Sequence, residues 1–390
     1  MKSTNNRRFY LAAACAMVAG GVSAQEVAPP LFQVGAVDVR PNFAYGMTYD
    51  DNIFVSSTAE TEDYIHNINP GVTLGAGDYR AQSGSFFSAS YNANMLFFQD
   101  NDGANATDHS ASASFGGGDR LSWRFDQTLV SASDADVSNL AAGGRVKRRA
   151  WTSTLGATYD LSEKTDLETS FAYILNDFNS ATTFDSQRLQ ARALMDYAMT
   201  AKLHYGFGGS LGYDQVDGSN NALFEQIITR AVWAVSPKVA LRTIAGLELR
   251  QHQGIDSDRA SFLYDVAADW KLSPLTVASI GTNRGTTPSN SLANQYSDRT
   301  AFNVTVAHKI GERYTATLGG GYALTDSAAS GPTGVVPQED DYYFVRPALA
   351  VKLAERFAGA AFYQYRNNES NAVGSDFTNH QIGLNLSYSF

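Results

Sequence analysis

The chain ends in a segment in which every second side chain is apolar: Gln381-Ile382-Gly383-Leu384-Asn385-Leu386-Ser387-Tyr388-Ser389-Phe390. Successive side chains of a β-strand point to opposite faces. This segment therefore predicts a strand with one apolar face and one polar or small face. The same alternation runs through residues 239–249 and 260–272, where Arg242, Glu248 and Asp265 lie between apolar positions. An alternating strand is therefore the repeating unit of this sequence.

The connections between these segments come in two alternating kinds. Short turns, such as Ser236-Pro237-Lys238 and Gly311-Glu312-Arg313, alternate with longer polar stretches, such as residues 56–62 and 327–339. The short turns recur about every 40 residues, which is the length of two strands of ten or more residues plus one turn and one loop. The pattern predicts about 18 strands (16–18) in consecutive hairpins, from residues 37–49 to residues 379–390.

Composition excludes several other classes of protein. The 390 residues include 22 Phe and 20 Tyr and only 17% are charged, so the chain is not typical of a disordered protein. After the first thirty residues there is no apolar run of about 18 residues, the length that a membrane-spanning helix needs. The net charge of −10, with no basic cluster to offset it, argues against nucleic acid as a partner.

The charges on the non-aromatic face decide between a soluble sandwich and a membrane barrel. A packed core cannot hold that many charges, but the water-filled lumen of a barrel can, while the apolar face meets lipid. The fold predicted is a single transmembrane antiparallel up-and-down β-barrel. The residues predicted to line its pore are Arg124, Arg148, Arg188, Arg192, Arg230, Arg242, Arg250, Arg259, Arg299, Arg346, Arg366, Asp126, Asp196, Glu248, Asp265 and Asp269. These charges either tune which solutes pass or pair across strands to brace the wall.

The first residues have the features of a secretory signal. Lys2, Arg7 and Arg8 precede an apolar stretch that ends in small residues before Gln25, and the only cysteine, Cys15, lies within it. The expected organisation is a signal peptide at 1–24, a periplasmic N-terminal segment at 25–36 and a barrel at 37–390. The expected location after cleavage is the outer membrane of a Gram-negative bacterium.

Residues that could carry chemistry are few. Ser210 lies in Gly208-Gly209-Ser210-Leu211-Gly212, which fits the G-x-S-x-G nucleophile pattern but falls inside an alternating strand with no helix after it. The six histidines are dispersed without the spacing of metal ligands, so we expect no metal site, no cofactor and no enzyme activity. Two acidic stretches, Asp50-Asp51-Asn52 and Glu339-Asp340-Asp341, are read as solvated starts of loops, with calcium binding as the alternative.

The C-terminal segment resembles the assembly signal of bacterial outer-membrane proteins, with Gly383, Leu386, Tyr388 and the terminal Phe390 in the characteristic places. An unpaired edge strand can pair with assembly machinery by β-augmentation. The resemblance implies that the partners of the chain are outer-membrane lipid and the barrel assembly machinery.

A second resemblance lies in the first two strands. Thr48-Tyr49-Asp50-Asp51-Asn52-Ile53-Phe54 followed by Ile68-Asn69-Pro70-Gly71-Val72-Thr73-Leu74 is similar to the start of a family of bacterial outer-membrane β-barrel porins (beta-barrel porin type 2-like) associated with exopolysaccharide export. Membership implies a conduit that works with a periplasmic polysaccharide-export protein.

The leading functional hypothesis is therefore a channel that exports a secreted polysaccharide across the outer membrane. The alternative is a general or solute-selective diffusion porin, and a second alternative is an outer-membrane hydrolase. Both an open lumen and a lumen plugged by a loop remain compatible with the sequence.

Overall fold

The fold is seen in a computed structural model, which describes residues 32–133, 145–180, 183–253, 258–291, 294–329 and 337–389. Nineteen strands lie in these residues, with one short 3-10 helix at Asp102–Ala104. The strands are β1 Phe32–Val34, β2 Val37–Asp50, β3 Asp63–Gly77, β4 Phe86–Phe98, β5 Ala106–Gly117, β6 Leu121–Ala132, β7 Arg148–Asp160, β8 Thr165–Phe178, β9 Ser186–Ala198, β10 Leu203–Val216, β11 Ala222–Ser236, β12 Val239–His252, β13 Arg259–Ser273, β14 Thr276–Pro288, β15 Gln295–Ile310, β16 Tyr314–Ala329, β17 Gln338–Lys352, β18 Phe357–Ser370 and β19 Phe377–Ser389. Among the described residues, no helix is long and apolar enough to cross a membrane.

Strands β2 to β19 form a closed barrel of 18 antiparallel strands. Each strand pairs with the next along the chain, and the last strand, β19, pairs with β2 from Gln381–Asp50 to Ser389–Asn42. The short strand β1 is additional and folds back on the start of β2, with Phe32 opposite Val39. Closure leaves no unpaired edge in the barrel, which a bilayer requires. The predicted fold and strand number are confirmed.

The outer face of the barrel is apolar along its length. Side chains such as Leu211, Ile227 and Leu247 are more than half exposed although they lie in the middle of their strands. The strands of the barrel have 12 to 16 residues, more than the roughly 9–11 that a tilted strand needs to cross a bilayer. An exposed apolar face of this length is the face that a transmembrane barrel turns toward lipid.

The two ends of the barrel differ in the length of their connections. We call the end that holds the start of β2 and the end of β19 the turn end. Its connections include two residues between β11 and β12, whereas twelve residues join β2 to β3 at the opposite loop end. The expected signal peptide and Cys15 lie outside the described residues, as does Phe390 of the predicted assembly signal.

Candidate functional site

The register of the strands places every charged residue predicted to point inward on the inner face of the barrel. Residues that are opposite one another in adjacent strands share a face, and Arg192, for example, is opposite Ser170 and Ser210. Arg148 and Asp265 lie on this face by the same criterion, opposite Ala132 and Ile244. That these side chains line a conducting path stays a prediction, and several of them are engaged in structural contacts.

One side of the lumen is held by ion pairs, and we call the inner faces of β8–β13 the ion-paired wall. The Arg230 guanidinium donates to Glu168 at 2.7 Å and also contacts the Asp196 carboxylate, so one cation on β11 ties β8 and β9 together. Arg242 and Asp269 form a looser pair at 3.3 Å, about half exposed. The alternative that the charges brace the wall therefore applies to this side.

The densest part of this wall lies toward the loop end, around Asp214. Its carboxylate accepts from Arg188 Nε at 2.6 Å and from Arg250 Nη1 at 2.5 Å, and Arg250 also pairs with Glu248 at 2.8 Å. Arg250 is only 1% exposed. Two of the predicted pore-lining residues, Arg250 and Glu248, therefore lie on the inner face but are covered there, so they are not exposed to an open lumen.

An aromatic ring completes this cluster. Phe224 lies between the two guanidiniums, 5.1 Å from Arg188 and 4.8 Å from Arg250. The ring lies flat over Gly212, where a Cβ atom would fall 2.1 Å from a ring carbon. Glycine is required here because the ring and the backbone approach so closely. The cluster is thus both charged and tightly packed.

The hairpin of β14 and β15 leaves the barrel wall near the loop end. β13 begins at Arg259, but its pairing with β14 ends at Tyr264 opposite Arg284, whereas β14 continues to Pro288. Beyond that point β14 and β15 remain paired to each other, as far as Pro288 opposite Tyr296. The upper part of this hairpin, which we call the inward hairpin (residues 284–291 and 294–300), is therefore free to bend away from β13.

The inward hairpin folds over the inner face of the ion-paired wall. Asp298 accepts from Arg259 at 2.6 Å, and the Tyr296 ring lies 4.7 Å from the Arg250 guanidinium. At its tip, Asn294 Oδ1 accepts from the backbone N–H of Asn220 at 2.8 Å, in the connection between β10 and β11. Because Arg250 points into the barrel, these contacts are made from the lumen side. The hairpin therefore narrows the lumen at the loop end.

The connection between β2 and β3 narrows the same end from another side. Ile53 packs against Ile65, Leu96 and Phe98 on the inner face of β3 and β4. Val55 packs in a second cluster, whose other members are Ala301, Ala323, Tyr342 and Phe377 of β15, β16, β17 and β19. Since the cluster residues belong to the inner face, this connection lies inside the barrel mouth.

A group of amides and carboxylates fixes the start of this connection. The buried Asn379 amide donates to the Asp50 carboxylate, and the Asp51 carboxylate accepts from the backbone N–H of His380 at 2.7 Å. Asn52 is fully buried and donates to the Thr378 carbonyl at 3.1 Å. The prediction that Asp50-Asp51-Asn52 is a solvated loop start is therefore wrong. Its polar atoms join β2 to β19 where the barrel closes.

The second acidic stretch is also not a loop. Glu339, Asp340 and Asp341 lie within β17, and the buried Asp340 accepts from the amides of Gln338 at 3.0 Å and Asn368 at 3.3 Å. β17 begins at Gln338, and buried side chains alternate with more exposed ones through these acidic residues although all of them are polar. Among the described residues, no group of three or more histidine, cysteine or acidic side chains could hold a metal ion.

The turn end also has a segment that folds inward. The connection 78–85 places the Tyr79 ring over Gly75, with its hydroxyl donating to Asp38 at 2.9 Å. Gln82 accepts from Arg124 at 2.5 Å, and Arg124 in turn pairs with Asp126 at 2.6 Å. Burial, helped by the hydrogen bond to Asp38, raises the pKa of the Tyr79 hydroxyl.

A second part of the lumen wall has arginines without ion pairs, and we call the inner faces of β15–β18 the arginine wall. Arg346 lies over the Phe362 ring at 4.3 Å, and Arg366 donates to the Asn379 amide oxygen at 2.6 Å. In the described part of the chain, neither they nor Arg299 has a carboxylate within 4.0 Å. Among the described residues, Arg192 on β9 of the ion-paired wall shares this lack of a carboxylate partner, so the arginine wall differs in that its arginines Arg299, Arg346 and Arg366 all lack one.

Ser210 has the surroundings of a structural residue. It lies within β10, donates to Gln226 at 2.5 Å and accepts from Gln190 at 3.1 Å. The strand continues through Ser210 to Val216, so the strand-to-helix turn of a nucleophile elbow does not occur there.

The predicted assembly signal forms the strand that closes the barrel. Gly383 of β19 lies under the Phe362 ring, where a Cβ atom would fall 2.3 Å from a ring carbon. Leu386 and Tyr388 alternate with polar residues along the same strand, opposite Tyr45 and Phe43 of β2. Recognition of this segment by assembly machinery stays a prediction.

Several solved structures align with this chain over most of its length. OpdO from Pseudomonas aeruginosa has a TM-score of 0.49 and 12% identity, covering 90% of this chain and 97% of that one. OccAB4 from Acinetobacter baumannii gives 0.48 and 12%, covering 90% and 98%. The outer membrane protein OpdK from Pseudomonas aeruginosa gives 0.46 and 9%, covering 90% and 99%.

No family model matches the sequence, and no curated protein matches it either. The resemblance to the exopolysaccharide-associated porins therefore stays a prediction. At TM-scores below 0.5 and identities of 9–12%, the function has to be argued from the residues of this chain.

Proposed function

We propose that this chain is an outer-membrane channel through which selected small solutes diffuse passively. A closed barrel with an apolar outer face belongs in a bilayer, and a barrel of 16–18 strands encloses an aqueous lumen. The charged inner face, with paired arginines on one wall and uncompensated arginines on the other, suits charged or polar solutes.

The observation that carries this proposal is the narrowing of the loop end. The inward hairpin and the connection between β2 and β3 both lie inside the mouth. Each is anchored through a buried residue, Asp298 by its ion pair with Arg259 and Val55 by its packing against Tyr342. A mouth reduced in this way limits the size of what passes. Selection of small solutes is the property that such a geometry favours.

Export of a polysaccharide, the leading hypothesis from the sequence, gains no support. A long polymer needs a clear bore, and both inward segments take up space that it would use. The hydrogen bond from the Asn220 backbone N–H to Asn294 also attaches the tip of the inward hairpin to the connection between β10 and β11. The hydrolase alternative also gains no support, because the Ser210 hydroxyl is hydrogen-bonded to two glutamines, Gln190 and Gln226.

Single-channel recording in planar bilayers tests the proposal. Purified wild-type protein is expected to give steady conductance, and the double variant Tyr296→Ala, Asp298→Ala is expected to give a larger and noisier one. Those two changes remove the contacts with Arg250 and Arg259 that hold the inward hairpin. A matched control is Tyr314→Ala, at the turn end of β16 on the outer face.

Three outcomes would contradict the proposal. The wild type and the released variant could both fail to conduct, or the double variant could conduct like the wild type. In cells, deletion of the gene could abolish surface polysaccharide while solute uptake stays unchanged, which would favour export.

A further inference from the structure

Four of the six histidines point outward, and three of these are each hydrogen-bonded to a tyrosine on the preceding strand of the barrel. In each pair the tyrosine Oη lies within hydrogen-bond distance of the histidine Nδ1. The pairs are Tyr45 with His66 at 2.8 Å, Tyr91 with His109 at 2.9 Å and Tyr363 with His380 at 2.7 Å.

These three pairs share one geometry. Each histidine is the fourth residue of a strand that runs from the loop end toward the turn end: His66 in β3, His109 in β5 and His380 in β19. Each tyrosine is opposite the residue two places further along that strand, so the contact is diagonal in every case. The pairs belong to three successive hairpins, β18–β19, β2–β3 and β4–β5. They form a continuous row, which we call the histidine row.

The histidine row lies at the boundary of the apolar band. Below His380 the outward residues are Ile382, Leu384 and Leu386, which are 57%, 61% and 42% exposed, and beyond the row toward the loop end Tyr49 donates to the Glu62 carboxylate. From His66 to Ala76, at the turn end of β3, the strand rises ~33 Å. With a tilt of about 40° this is roughly 25 Å along the membrane normal, the height of the apolar band of such barrels. The row is therefore at the level of the lipid headgroups.

In each pair the tyrosine engages Nδ1 of the histidine, which leaves Nε2 able to bind a group outside the protein. When the tyrosine hydroxyl donates to Nδ1, the imidazole carries its proton on Nε2, which then faces outward as a donor. In the part of the chain that the structure describes, no protein atom accepts from Nε2 of these three residues. A donor at this depth meets lipid headgroups, whose strongest acceptors are phosphate oxygens.

We propose that the histidine row binds the phosphate groups of lipids in the outer leaflet. Three donors at one height, on alternate hairpin strands, can contact a phosphorylated headgroup or two adjacent ones. This role is separate from passage through the lumen, because all six side chains of the row are on the outer face. The site would order lipid against β18, β19 and β2–β5.

Native mass spectrometry of the detergent-solubilised protein tests the proposal, with bisphosphorylated lipid A and its dephosphorylated form as probes. The wild type is expected to retain the phosphorylated form preferentially. The triple variant His66→Phe, His109→Phe, His380→Phe is expected to lose that preference, with retention falling roughly tenfold because three hydrogen bonds to a charged group are removed. Phenylalanine keeps an aromatic ring at each interfacial position.

The matched control is His308→Phe. His308 also points outward and is hydrogen-bonded, to Thr276 at 2.8 Å, but it lies near the turn end. It is expected to retain lipid like the wild type. A second test variant, Tyr45→Phe, Tyr91→Phe, Tyr363→Phe, removes only the hydroxyls and is expected to weaken retention less than the histidine variant. Heat-modifiable migration in gels shows that each variant is folded.

Four results would overturn the proposal. The histidine triple variant could retain phosphorylated lipid as well as the wild type, or the wild type could retain both lipid forms equally. Inorganic phosphate could displace the bound lipid, which would assign the row to free phosphate. An oligomer of the wild type that the triple variant loses would make the row a contact between barrels. Channel conductance should be unchanged in all these variants, so failure here is distinct from failure of the proposed transport.

Discussion

The two walls of the lumen hold their arginines in different ways. On the ion-paired wall Asp214 is shared by Arg188 and Arg250 and is fully buried, and the inward hairpin covers this region. On the arginine wall Arg346 lies over a phenylalanine ring, and Arg366 donates to the neutral amide of Asn379. A paired, buried charge contributes to the fold, whereas an uncompensated charge in a wet lumen acts on solutes. The buried, ion-paired arginines therefore stabilise the barrel, whereas the arginines without a carboxylate partner affect which solutes pass.

Removal of Asp214 should produce the largest effect on stability. Asp214→Ala leaves the buried Arg250 and the partly buried Arg188 without their shared partner, so the free energy of unfolding is expected to fall by about 3–5 kcal/mol. Urea unfolding in lipid vesicles, followed by tryptophan fluorescence, measures this. Asp265→Ala is the control, because Asp265 is on the inner face of β13 without an ion pair in the described residues. Equal losses in the two variants would show that the ion-paired wall is not held by its charges.

The closure of the barrel beside the arginine wall depends on amides, and its disruption should have an intermediate effect. Asn379→Ala leaves the buried Asp50 carboxylate without one of its donors, at an expected cost of about 1–3 kcal/mol. It should also release the connection between β2 and β3, which limited proteolysis would detect as new cleavage within residues 51–62. Thr378→Ala is the neighbouring control, since its hydroxyl donates to Asn367 at the outer face. Cleavage that is the same in both variants would exclude this role for Asn379.

The barrel could be predicted from the sequence because its signal is local. Alternation with period two is visible in any single strand, such as residues 260–272, and it also assigns charges to the inner face. Which charges meet depends on register between strands. Arg230 reaches Asp196 and Glu168, which are 34 and 62 residues away, and alternation within one strand does not determine that register.

The inward segments could not be predicted for a different reason. Their positions depend on contacts between distant parts of the chain, such as Asn52 with Thr378. A signal was nevertheless present, because Ile53, Phe54 and Val55 are three consecutive apolar residues in a connection that is polar apart from Ala59. An apolar run in a loop indicates that the loop packs against another apolar surface, and here the run packs against the inner face of the barrel.

The smallest effect on stability, and the one that bears most on function, is expected for Arg346. Its guanidinium has no carboxylate partner among the described residues, so Arg346→Gln should change the free energy of unfolding by less than about 1 kcal/mol.

Arg346→Gln also removes a positive charge that attracts anions. The permeability ratio of anions to cations, taken from reversal potentials in a salt gradient, should therefore fall roughly twofold to fivefold. Arg346→Lys keeps the charge and should restore most of the ratio, although it loses the flat stacking on Phe362. If Arg346→Gln instead destabilised the barrel as strongly as Asp214→Ala and left the ratio unchanged, the two walls would have the same role. The ion-paired wall could then no longer be assigned to stability and the arginine wall to solute selection.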